Sequence, residues 1–142
     1  MEVSEVRRRL RAAIEQARRQ AAIRRERNDT AAREYQQFLT AHAVPVFNTL
    51  AAALTAEGHR FQVSTPGDTV RLHAEFSQDD LIELALDTSG DKPVLMLRTN
   101  RGRGRRQVST ERVVRDGASI SSITDEEVLD AVLSEIEPFV ER

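Results

Sequence analysis

Residues 59–76 read HRFQVSTPGDTVRLHAEF, with apolar and polar side chains alternating on both sides of Pro66-Gly67. Phe61 and Val63 before that dipeptide, and Val70, Leu72 and Ala74 after it, occupy every second position, the period of a strand with one buried face. Pro fixes φ for a turn and Gly accepts the positive φ that other residues resist, so the dipeptide reads as a chain reversal. The stretch is predicted as a β-hairpin with Val63 opposite Val70 and Phe61 opposite Leu72. A three-residue loop would set Val63 against Arg71 and mix the two faces, so the pattern rejects it.

Upstream the period is helical. Placed at 100° per residue, Val3, Val6, Leu10, Ala13, Ile14, Ala17 and Ala21 fall within about 100° of one another. Ala31, Ala32, Tyr35, Leu39, Val46 and Ala53 keep that phase, which only Arg24, Asn28 and His42 interrupt. Glu5 with Arg9 and Glu15 with Arg19 add support four residues apart. The RNDT run at 27–30 and Pro45 offer break points, so residues 1–44 are predicted as a helical arm, one kinked helix or two. A single helix over 2–44 would be roughly 65 Å long, against about 35 Å for a compact domain of the remaining residues. Such an arm projects or folds back. Helix is expected to continue to about residue 57, with Gly58 as its left-handed cap.

Downstream the period stays at two. SQDD at 77–80 reads as a turn into LIELALD, where Ile82, Leu84 and Leu86 meet Phe76, Ala74 and Leu72. TSGDKP forms the next turn, and VLMLRT at 94–99, apolar on both faces, reads as an interior strand. Pairing Leu95 with Leu86 there sets Arg98 opposite Glu83. QVSTERVVR at 107–115 supplies a fifth strand. Thr124 and Glu127 form a capping box ahead of Val128, Leu129, Val132, Leu133, Ile136 and Val140, with Pro138 disrupting the last turn. The fold class is thus α+β: a long N-terminal helical arm, a four- to five-stranded antiparallel meander over about 59–115, and a C-terminal helix over about 125–141 packed on the sheet. Residues 45–142 make up the domain.

With 142 residues, 39% hydrophobic and 31% charged, the chain has enough material for one domain with a real core. It contains no cysteine, which excludes disulfides and thiolate metal sites. No apolar run approaching a membrane span and no secretion signal stand out, so a cytoplasmic protein without membrane contact is expected. The net charge is −2, yet it is blocked: +4 over 1–34, −5 over 35–97, +5 over 98–116 and −6 over 117–142. Alternation of this kind suits self-assembly as well as polyanion binding, because the acidic blocks can neutralise the basic ones. No P-loop, GxGxxG, HExxH or nucleophile elbow occurs, and no cofactor is expected.

Three constellations remain. The apolar stripe of the arm, Val3, Val6, Leu10, Ile14, Ala17 and Ala21, flanked by Arg7, Arg11, Arg18 and Arg25, has the composition of a helix–helix seam. The leading expectation is therefore a non-enzymatic assembly or adaptor protein, a homo-oligomer with a dimer favoured, with Tyr35 and Leu39 extending the seam or docking on the domain. The alternative is a nucleic-acid-binding protein, or one that meets an acidic protein surface. It would use Arg101, Arg103, Arg105 and Arg106 of the RTNRGRGRRQ run at 98–107 together with the arm arginines. The third is an enzyme or metal site on the polar sheet face. In the registers above, His73 lies opposite Arg60 and Glu75 opposite Glu83, gathering two carboxylates, an imidazole and Arg98.

Overall fold

The computed structural model describes residues 1–117 and 119–141. Helix α1 (Val3–Phe38) runs without interruption through the RNDT run. Asn, Asp and Thr each cost only a few tenths of a kcal/mol more than Ala inside a helix. The packing of Ala31, Tyr35 and Phe38, all buried, outweighs that. A π-helical turn (Leu39–Ala43) joins α1 to α2 (Val44–Ala56), and the Val44 N–H donates to the Leu39 carbonyl five residues back. Pro45 has no N–H and its ring crowds the carbonyl four residues earlier, so the wider turn relieves the clash without ending the helix. The arm is one helix.

That turn also resets the helical phase. Residues 35, 39, 43 and 47 would drift about 40° per step in an α-helix, yet Tyr35, Leu39, Ala43 and Phe47 are all buried. The expected continuation through Val46 and Ala53 is displaced accordingly: Phe47 and Leu50 enter the core, Val46 is half-buried and Ala53 exposed. At the C-terminus, Gly58 has φ 93°. Its N–H donates to Thr55 at 3.0 Å while that of His59 donates to Leu54 at 2.8 Å, a Schellman cap.

Strands β1 (Phe61–Ser64), β2 (Val70–Ala74), β3 (Ser77–Asp87), β4 (Val94–Arg103) and β5 (Arg106–Val113) form an antiparallel meander in sequence order. Two registers differ from expectation. Phe61 pairs with Ala74 and Val63 with Leu72, a slip of two, because the loop around Pro66-Gly67 is longer than assumed. Leu72 pairs with Ile82 and Val70 with Leu84, a slip of four. SQDD is not a turn. Ser77 already pairs with Ala74 after a bulge, and the chain reverses at Glu75-Phe76. Both slips are even, so the paired strand residues keep their expected faces, whereas Phe76, expected against Ile82, lies in the turn and is 61% exposed. From β3 to β4 the expected register is observed, with Leu86 opposite Leu95 and Glu83 opposite Arg98.

Helix α3 (Asp125–Glu135) opens with the reciprocal Thr124–Glu127 capping box, and α4 (Glu137–Val140) follows the break at Pro138. The helices cover one sheet face, where Val70, Leu72, Ile82, Leu84, Leu95 and Leu97 meet Tyr35, Phe47, Val128 and Val132. The Tyr35 hydroxyl donates to the main-chain carbonyl of Asp68. Its burial, reinforced by the Asp68 and Glu83 carboxylates, holds the phenol well above the ordinary tyrosine pKa. Contrary to the sequence reading, an 18-residue window of the helix Val3–Ala56, with mean hydropathy 1.3, is long and apolar enough to match a membrane span. No Asp, Glu, Lys or Arg occurs between Glu34 and Glu57, and Phe38, Leu39, Phe47 and Leu50 of that charge-free stretch belong to the core.

Candidate functional site

The first buried residue of α1 is Ala31. N-terminal to it Ile23, Glu26, Arg27 and Thr30 still border a cavity shared with the domain, and residues 3–27, at 1.5 Å each, extend about 37 Å. Val3, Val6, Leu10 and Ile14 are 75%, 43%, 56% and 41% exposed on their common stripe. Ala17 is exposed and Ala21 half-exposed on the same stripe. Arg7, Arg11, Arg18 and Arg25 form no ion pair among the described residues, whereas Arg8 and Arg9 pair with Glu5 at 3.0 and 3.4 Å. Over residues 3–27 nine arginines stand against three glutamates, net +6. Tyr35 and Leu39 dock on the domain and do not prolong the exposed stripe.

At the root of the arm, Arg27 Nη1 donates to the Asp91 carbonyl at 3.0 Å, next to the β3–β4 turn. A cavity of about 480 Å³ opens beside it, with Ile23, Ala31, Pro93, Val94 and Ile120 as its apolar lining and Glu34 among its polar groups. No local signal in the sequence points to this cavity, because it is assembled from three distant segments. His42 interrupts the apolar phase of the helix. Its Nδ1 lies 2.8 Å from Asp125 Oδ1, and its ring lies 5.4 Å from that of Phe38, so it ties the π-turn to the start of α3.

The arginine run is mostly paired strand. Arg98, Arg101 and Arg103 lie on β4, Arg106 opens β5, and Arg103 pairs directly with Arg106. Only Gly104 and Arg105 form the turn, with Gly104 at φ 59° in the position where a II′ turn takes glycine. Arg101 and Arg103 reach Glu141 at 3.7 and 3.6 Å, and the Arg101 side chain is only 16% exposed. Asp79 and Asp80 flank the same hairpin: Asn100 donates to the Asp79 carbonyl at 2.7 Å and the Gly102 N–H to Asp80 Oδ1 at 3.0 Å. Arg105 and Arg106 form no ion pair among the described residues. The hairpin lies at one end of β4 and the arm root at the other, separated by ten residues of strand, about 33 Å. The tip arginines therefore lie at the end of β4 away from the arm root.

The polar face opposite the helices does not gather His73, Glu75 and Glu83. His73 faces Gln62 and Leu81, not Arg60. Glu75 sits in the tight turn and accepts from Gln62 at 3.2 Å. Glu83 lies opposite Arg71, which donates to it from Nη2 at 2.6 Å and from Nε at 3.0 Å. The four-residue slip between β2 and β3 makes this exchange, replacing a carboxylate pair with an ion pair. Arg98 turns to Asp87 and Glu111 at 3.6 and 3.4 Å. Hydrogen bonds from the Ser89 hydroxyl and N–H hold the Asp87 carboxyl below its ordinary pKa, with Arg98 adding to the effect. Among the described residues no group of three His, Asp or Glu side chains is arranged to hold a metal ion.

No family model matches the chain, and searches of curated proteins and of solved structures find no significant relative.

Proposed function

We propose that the chain is a non-enzymatic assembly protein that self-associates through residues 3–21 of its N-terminal helix. The observation that carries this reading is the exposed alignment of Val3, Val6, Leu10 and Ile14 on a helix that leaves the domain. Helices in proteins gain most of their stability from packing an amphipathic face, and this one gains it when its apolar face is covered. Each of the four side chains, about half exposed, contributes roughly 1 kcal/mol when buried, or about 8 kcal/mol over two copies. That is of the order of the cost of association itself, about 4–15 kcal/mol. Arginine stems and alanines add contact area, and the balance corresponds to a weak, concentration-dependent dimer.

Nucleic-acid binding has less support. Two of its four tip arginines are engaged with Glu141, and the tip lies at the end of β4 away from the arm root. An acid–base or metal site has less still, since Glu83 is committed to Arg71.

Leu10→Glu tests the proposal by sedimentation across a concentration series. Leu10 is 56% exposed in the single chain, so the variant is expected to fold with an unchanged melting temperature at low concentration and to dimerise at least tenfold more weakly. If it associates as the parent does, the stripe is not the interface.

A further inference from the structure

Resting on that self-association, we infer that the two arms pair antiparallel, about a two-fold axis near residue 12. Val3 and Val6 of each copy then lie over the partner's Ala21 and the partner's Ala17, and Leu10 between the partner's Ala13 and the partner's Ile14.

The domain dictates the direction. The exposed stripe leads into Ala31, Tyr35, Phe38 and Leu39, which the chain's own core buries. The two sets of residues are centred within about 40° of one another around the helix. A parallel partner lying on the stripe would continue along this face and meet the domain at Ala31. Its own domain would lie on the facing side of its helix, so both domains would compete for the space between the arms. An antiparallel partner ends instead at the level of Ala21, six residues, or about 9 Å, short of Arg27. The two domains then sit at opposite ends of the pair.

Side-chain size agrees. The stripe grades from Val3, Val6, Leu10 and Ile14 to Ala17 and Ala21. In a parallel pair the bulky layers would hold the helices apart and leave the alanine layers unfilled, which loses contacts. In an antiparallel pair Val3 and Val6 meet alanines at both ends of the overlap while Leu10 and Ile14 meet at its centre, so no layer is built of alanine alone. Charge works in the other direction, since the flank carrying Arg7, Arg11 and Arg18 then runs beside its equivalent. Exposed charges of this kind contribute little and are screened by salt, while their stems cover the seam.

The chain has no cysteine, so a disulfide can be placed at will. Val6→Cys and Ala17→Cys variants, one carrying a mass tag, are mixed, oxidised and separated on a non-reducing gel. The expected product is a mixed-mass dimer that neither variant forms alone, because like positions lie about 16 Å apart along the axis, well beyond the 7 Å limit between Cα atoms for a disulfide. Self-cross-linking of Val6→Cys would establish parallel arms and overturn the orientation while leaving self-association intact. A parent that sediments as a dimer while the mixture yields no disulfide overturns this pairing as well. A parent that stays monomeric at high concentration defeats the proposed function itself.

Discussion

Arg27 on α1 donates to the main-chain carbonyl of Asp91 at 3.0 Å, and N-terminal to that contact no side chain of the helix is buried. The pair marks where the helix stops belonging to its own domain. On one side lie the core residues Ala31, Tyr35 and Phe38; on the other, a length of helix whose apolar stripe is left exposed by the described residues.

Salt separates the two interaction readings. Arms carrying net +6 each repel, so their association is expected to strengthen as sodium chloride rises from 50 to 500 mM. Binding to a polyanion weakens steeply over the same range because neutralised phosphates release counterions. Sedimentation of the protein alone, beside anisotropy with short random-sequence DNA and RNA, gives both slopes.

Tyr35 is the one tyrosine in the chain. Tyr35→Phe deprives the Asp68 carbonyl of its donor and is expected to cost about 1–2 kcal/mol, lowering the melting temperature by about 3–6 °C. The raised pKa has a definite sign. The folded state holds the proton more tightly than the unfolded state, so stability is complete below the ordinary tyrosine value near 10 and falls as pH rises above it. Absorbance at 295 nm is expected to rise with unfolding and not before it. Ionisation at the ordinary pKa in the folded protein would show that the hydroxyl is accessible.

Asp87 gives the opposite sign. Its pKa is lowered by Ser89 and Arg98, so its contribution is complete above the ordinary carboxylate value near 4 and is lost as pH falls through the lower folded value. Asp87→Asn is expected to cost about 1 kcal/mol at neutral pH. Denaturant melts from pH 6 to pH 2 should show parent and variant converging.

Glu83, only 13% exposed at its side chain and bound to Arg71, leaves no carboxylate pair for a cation. Magnesium, manganese and zinc are each expected to leave the melting temperature unchanged. A shift that disappears in Glu83→Gln would restore a metal site on this face.

Much of the fold was legible because the physics that decides it is local. The switch from helical to strand period after Gly58, the cap at that glycine, the capping box at Thr124 and the break at Pro138 all follow from φ preferences and hydrogen bonds within a few residues. The exposed stripe of the arm was legible for the same reason. Which residues share a face survived two register errors because both slips were even. Direct opposition did not survive, and direct opposition is what makes a site: His73, Glu75 and Glu83 were a cluster in one register and are separated in another. The phase beyond residue 39 was misread because a π-turn relieving Pro45 changes the periodicity on which the projection depends.

The sequence by itself determined the order and type of the main elements, the face taken by the paired strand residues and the charge carried by each block, since these depend on alternation, capping and composition. Only the tertiary structure decided that the arm leaves the core at Ala31, that Glu141 occupies Arg101 and Arg103, and that the arm root and the arginine hairpin lie at opposite ends of β4. Those relationships join residues far apart in the chain, through loop lengths and bulges whose energies differ too little for local patterns to rank.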